Sequence, residues 1–258
     1  MIFVDSHSHI FDKDFDLDRA EVIAKAAALG IKYHILPNID SSYSDRVFET
    51  AKTFEGICFP LIGLHPTSVS DSYEAELVHV EQMLQTIKYY GIGEIGIDLY
   101  WDKTYFEQQK IAFRYQLKLA KKLGLPVVIH SRNSFDEIFE IVDQENDSTL
   151  RGVFHAFTGT LEQYQHIISY GGFKVGIGGI VTYKNSGLDK ALANMDISQI
   201  LLETDSPYLT PVPKRGQRNE SQYLIYIAQK ISEVLGITIE EVAKITTKNS
   251  LELFNIKA

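Results

Sequence analysis

The sequence predicts an α/β protein, a (β/α)8 barrel, from three observations. Short apolar runs of strand length alternate with segments of helical period along the whole chain, eight such runs can be counted, and 258 residues is the usual length of one such barrel. No Gly-rich dinucleotide fingerprint follows any strand, and no phosphate loop ends in Gly-Lys-Ser/Thr, so an open doubly wound sheet is the weaker reading. With no linker, repeat or shift of composition, residues 1–258 are expected to form a single barrel domain.

The elements follow in order. Ile2–Asp5 is the first expected strand, followed by a helix over Asp18–Leu29 that Gly30 stops, as a left-handed terminal residue does. Strands at His34–Pro37 and Ile57–Leu64 flank a helix at Ser44–Phe54. A helix at Glu74–Tyr89 leads to the strand Ile92–Ile97, and a long helix at Phe106–Leu123 ends on Gly124. Val127–His130 is apolar on both faces, as a parallel strand covered by helices should be. A helix at Phe135–Gln144 then opens on Ser134 and Glu137 in capping-box spacing. Gly152–His155 leads to a helix at Leu161–Tyr170, capped by Thr160 with Gln163 and stopped at Gly171. Strands at Phe173–Ile177 and Ile200–Thr204 enclose a helix at Leu188–Asn194. Two helices complete the chain, at Ser221–Leu235 and Ile239–Leu253, the second an extra C-terminal helix opened by Thr238 with Glu241.

Composition narrows the function. A net charge of −9 and a pI near 5.4 exclude a protein that grips nucleic acid or anionic membrane through a basic surface, because that grip comes from Lys and Arg displacing counterions. Hydrophobic content of 45% and charged content of 23% are ordinary globular values. No apolar run is long enough to span a membrane, and the N-terminus carries neither a basic leader nor an apolar signal region, so a cytoplasmic protein is expected. The single cysteine, Cys58, lies in an apolar run and reads as a small core hydrophobe.

Polar residues fall at the strand ends. His7 and His9 follow the first strand, Glu94 lies in the fourth, and His130, His155 and Asp205 end the fifth, sixth and eighth. In a barrel these positions share the carboxyl-end rim on which active sites are built. Residues at i and i+2 of a strand project to one side, so His7 and His9 can share a cation. A histidine bonded to a backbone carbonyl explains any one of these residues but not the whole set. Six ligands exceed the need of one cation with an open position and suit two divalent cations that share a carboxylate, an arrangement that generates hydroxide and clamps a phosphoryl displacement. Glu94 is the natural bridge. Asp205 is suited both to hold a metal and to accept the proton of the attacking water.

At this point the motifs resemble a known family. Asp5-Ser6-His7-Ser8-His9, Gly63-Leu64-His65-Pro66, Gly93-Glu94-Ile95-Gly96-Ile97-Asp98, His130-Ser131-Arg132, His155-Ala156-Phe157-Thr158-Gly159 and Glu203-Thr204-Asp205-Ser206-Pro207-Tyr208-Leu209 are together similar to the TatD-type metal-dependent deoxyribonucleases, in order along nearly the whole chain. The resemblance implies an amidohydrolase-like barrel, with one metal held by His7, His9, Glu94 and Asp205 and the other by Glu94, His130 and His155. Ser8 and Ala156 stand where many members have cysteine, and neither is a ligand in the family pattern.

Substrate contacts are expected from His65, on the same rim, and from Arg132, whose fork suits phosphate oxygens. The basic loop 211–219 adds Arg215 and Arg218, while Asn219 and Glu220 could instead fix that loop. Trp101 or Tyr100 could stack a base. Asp98 is placed to orient a ligand. His34, His79 and His166 lie outside every motif and receive no function. The expected activity is cleavage of phosphodiester bonds, in the form of a DNA exonuclease touching a few nucleotides transiently, with no membrane and no obligate protein partner. Hydrolysis of a small amide, ester or phosphoester is the alternative, and a metal-stabilised interaction module the second. Four imidazoles favour Zn or Mn, whereas the resemblance implies Mg.

Overall fold

The computed structural model describes residues 1–257. Eight parallel strands occupy β1 Phe3–Asp5, β2 Ile31–Leu36, β3 Cys58–Pro60, β4 Ile92–Asp98, β5 Val127–Arg132, β6 Gly152–Phe154, β7 Phe173–Ile177 and β8 Ile200–Leu202. The α-helices are α1 Arg19–Ala28, α2 Ser41–Thr53, α3 Tyr73–Met83, α4 Phe106–Leu123, α5 Phe135–Glu145, α6 Leu161–Ser169, α7 Leu188–Leu192, α8 Leu224–Leu235 and α9 Ile239–Leu253. Among the described residues, no helix is long and apolar enough to cross a membrane.

The ladders run β1-β2-β3 and β4-β5-β6-β7-β8, and two seams join them into a barrel. At one, Ile62 bridges Ile92 and exchanges bonds with Gly91 and Gly93. At the other, Ser6 N donates to Leu202 O, Asp205 N to His7 O, and His9 N to Ser206 O. Asp5 reinforces the second seam by accepting from both the backbone and the hydroxyl of Thr204, at 2.9 and 2.6 Å.

Side-chain alternation builds the site. Val4, Ile35, Leu61, Val128, Val153 and Leu201 fill the barrel interior, packed with Leu253, Phe254 and Ile256 at the end of α9. Two residues further along the same strand faces stand His130, His155 and Glu203. The alternate residues, among them Ile95, Ile97, Ile129, Phe154 and Leu202, pack outward against the helices.

Two of the local expectations change and one is met. Ser134 opens α5 without a side-chain cap bond, because its hydroxyl donates to Ile97 O at 2.6 Å and accepts from Arg132 N. The capping boxes of Thr160 and Thr238 are both formed. Helix α3 stops at Met83, short of Tyr89, where the Thr86 hydroxyl takes Met83 O and the backbone tightens to three-residue bonds.

Candidate metal centre

The mouth at the carboxyl ends of the strands holds a cavity of about 550 Å³ lined by His9, His65, Glu94, Asp98, Trp101, His130, Arg132, His155, Asp205 and Tyr208 among others. Its centre is Glu94, buried and held in place by two backbone bonds with Asn38: Glu94 N donates to Asn38 O, and Asn38 N donates to Gly93 O. The two oxygens of Glu94 face different partners. Oε2 lies 3.1 Å from His7 Nε2 and 3.8 Å from His9 Nε2. Oε1 lies 2.7 Å from His130 Nδ1, 3.0 Å from His155 Nε2 and 3.3 Å from His65 Nε2.

Asp205 completes the first group, with Oδ1 3.4 Å from His9 Nε2 and 3.6 Å from His7 Nε2. Its backbone adopts φ of 57°, the left-handed region in which a residue with a Cβ is uncommon. Buried Asn219 secures this turn by donating to Thr204 O and Tyr208 O at 2.7 and 2.6 Å. The structure therefore brings together all six residues expected at the strand ends.

The electrostatics follow from crowding. Burial alone would raise the Glu94 carboxyl, but the imidazoles of His155, His65 and His7 and the bond from His130 hold it well below the usual range. Burial likewise pushes Asp205 up, and the bond from His9 and the neighbouring imidazoles bring it down. Burial and the stacked His155 ring, 3.7 Å away between centroids, lower His7. His155 is itself lowered by burial, yet Glu94 and Glu203 carry it well above its ordinary value.

This donor set fits divalent cations. The Nε2 atoms of His7 and His9 point at one another 3.2 Å apart beside Glu94 Oε2, and His65, Glu94 and His130 form a second cluster of converging donors. Neutral imidazoles and carboxylates converging in this way are what a shared cation requires. His65, expected to contact substrate, thus stands among the candidate ligands as well.

Two carboxylates support the histidines from behind. Asp98 Oδ2 lies 2.9 Å from His130 Nε2, so the ring presents Nδ1 to Glu94, the pattern in which a carboxylate orients a ligating histidine. Glu203, fully buried, accepts from Ala156 N and faces His155 Nδ1 at 3.4 Å. Sequence reading assigned Glu203 no role. Its signal was available, since Glu203 stands two residues beyond the inward-facing Leu201. Gly176 makes room for it: a Cβ there would collide with the Glu203 carboxylate.

The expected substrate residues divide. Arg132 and Trp101 line the cavity. Arg215 and Arg218 do not. The Arg215 guanidinium stacks on Tyr183, 4.2 Å from its centroid, and bonds its hydroxyl. Arg218 is forked onto Asp18 at 2.6 and 3.0 Å, bonds Glu220, and covers the Phe15 ring. Loop 211–219 thus pairs the Arg218 charge with carboxylates and lays the Arg215 guanidinium on a tyrosine ring.

The family model described as TatD related DNase matches residues 4–255. The metal-dependent hydrolase YabD of Bacillus subtilis is 35% identical over 257 residues, covering 99% of this chain and all of that one. YcfH of Escherichia coli, likewise a metal-dependent hydrolase by name, is 29% identical over 262 residues, covering 100% of this chain and 97% of the relative. Among solved structures, the TatD homologue YjjV of Escherichia coli superposes with a TM-score of 0.91 at 30% identity, covering 99% of this chain and 98% of that one. A TatD family hydrolase of Entamoeba histolytica, at 22% identity and a TM-score of 0.85 over 98% of both chains, shares the fold.

Proposed function

The chain belongs to the TatD-related DNase family and is a metal-dependent hydrolase, and from that premise we propose that it cleaves phosphodiester bonds of DNA, removing nucleotides from an end. The observation that carries this reading is the division of the Glu94 carboxylate, with Oε2 toward His7 and His9 and Oε1 toward His130 and His155. Two divalent cations would be held, one by His7, His9, Glu94 and Asp205, the other by Glu94, His130 and His155. When bound, such a pair activates water and neutralises charge growing on phosphoryl oxygens.

The remaining work falls to the chain. Asp205, kept as a carboxylate by His9 and its neighbours, accepts the proton of the attacking water. Arg132, at the cavity wall, pairs with a phosphate oxygen of the substrate. Asp98 holds the ring of His130 in orientation and Glu203 stands behind that of His155, so the donors are organised before substrate arrives. With −9 overall charge and Arg218 paired to Asp18, contact is with a few nucleotides rather than along a duplex.

The test compares single- and double-stranded DNA, RNA and amide substrates before chelation, after chelation and after metal is restored. Metal-restored DNA cleavage that is lost in Glu94→Ala and Asp205→Ala supports the reading. Amide turnover without cleavage of any nucleic acid overturns it.

A further inference from the structure

We infer that the corner formed by Trp101, Tyr100 and Arg132 is a subsite for one nucleobase, stacked on Trp101, with its adjoining phosphate on Arg132. This rests on the phosphodiester reading above and names what the cavity rim recognises. Trp101, which lines the cavity, is 68% exposed, and Tyr100 beside it is 52% exposed. Leaving an indole in water forgoes the free energy its burial would release, so an exposed pair at a cavity mouth points to a ligand that covers it.

The two rings have different tasks. The guanidinium of Arg132 already covers Tyr100, 3.9 Å from its centroid, and lies 5.2 Å from that of Trp101. Tyr100 meets Trp101 edge-on, with centroids 4.9 Å apart and planes at 87°. Tyr100 and Arg132 therefore brace each other, and the indole is the ring left to receive a flat partner. Base stacking on an aromatic face is tolerant of base identity, because every base has a π-face.

The corner is tied to the metal centre through one carboxylate. Asp98 Oδ1 accepts from the backbone N–H of Tyr100 and of Trp101, at 2.9 and 3.2 Å, while its Oδ2 lies 2.9 Å from His130 Nε2. Asp98 and Arg132 are also paired across β4 and β5, and Leu99 N donates to Arg132 O. A base on Trp101 would thus sit at a fixed offset from Glu94.

Charge selects the ligand. Among the described residues lining the cavity, Arg132 is the only Lys or Arg, and it has no carboxylate partner. The Arg19, Arg46 and Arg218 side chains, by contrast, are held by Asp16 and Asp18. A guanidinium with no carboxylate partner, beside an uncovered indole, matches an anion joined to a flat ring, which is what a nucleotide is.

Trp101 is the only tryptophan in the chain, so its fluorescence reports the subsite directly. The intact protein, with chelator present, is titrated with tetrathymidylate and with the same sugar-phosphate backbone lacking its bases. Quenching by the first and not by the second is expected. In anisotropy measurements with labelled probes, Trp101→Ala should bind tetrathymidylate about tenfold more weakly and the base-free backbone unchanged, Trp101→Phe should recover most of the loss, and Arg132→Ala should weaken both probes. Absence of quenching by tetrathymidylate, or an equal loss for both probes in Trp101→Ala, overturns the inference. Restoring metal and following hydrolysis separates the two claims: quenching without hydrolysis keeps the subsite and rejects the nuclease reading, and hydrolysis without quenching rejects the subsite alone.

Discussion

His34 lies in the middle of β2, fully buried, with no hydrogen-bond partner for either ring nitrogen among the described residues, between Asp5 and Cys58 on the neighbouring strands. Burial pushes its pKa down from 6.5 to about 4. The unfolded chain therefore takes up a proton at a higher pH than the folded one. Stability from this residue is fully present above pH 6.5 and is lost as pH falls toward 4. At 1.36 kcal/mol per pH unit the whole loss is about 3 kcal/mol, of which about 2 kcal/mol is reached by pH 5. The variant His34→Leu has no such proton to bind. Urea unfolding of metal-free protein at pH 7.5 and pH 5 reads the difference, because other titrating groups cancel between wild type and variant. The stability gap between the two proteins should move by about 2 kcal/mol in favour of the variant at pH 5. A gap that does not change with pH would show that His34 is solvated or hydrogen-bonded, and would refute the reasoning.

Three further outcomes are expected. Asp98→Asn should weaken metal binding about 10- to 100-fold in competition with a chromophoric chelator, because it removes the carboxylate that orients His130. Phe254→Ala should cost about 3–5 kcal/mol in denaturant unfolding, since Phe254 packs against the residues filling the barrel and its loss leaves a cavity. Gly176→Ala should cost about 1–3 kcal/mol by forcing a methyl group against the buried Glu203 carboxylate, with the shift in denaturation midpoint as the readout.

Much of the barrel was legible because its strands are apolar on both faces and its helices are punctuated by Gly124, Gly171, Thr160 and Thr238, all local signals. The convergence of His7, His9, Glu94, His130, His155 and Asp205 was legible for a topological reason, since parallel strands deliver all their carboxyl ends to one rim. What escaped depends on where a side chain finds its partner. Arg215 and Arg218 read as free cations in sequence, but Arg215 lies on Tyr183, 32 residues away, and Asp18, 200 residues from Arg218, pairs with its guanidinium. Ser134 fits a capping box by spacing, yet a strand carbonyl 37 residues away claims its hydroxyl. Glu203 carried the same two-residue alternation as His130 and His155, hidden in sequence by the more conspicuous Asp205 beside it.

The division of Glu94 between two donor groups is the centre of the account, and metal stoichiometry tests it most directly. Elemental analysis of wild-type protein and Glu94→Ala, both purified without chelator and equilibrated with the same divalent metal, should find two ions per wild-type chain. The variant should lose both affinity and DNA cleavage. One ion per wild-type chain, or a Glu94→Ala protein that keeps two ions and still cleaves DNA, would contradict it.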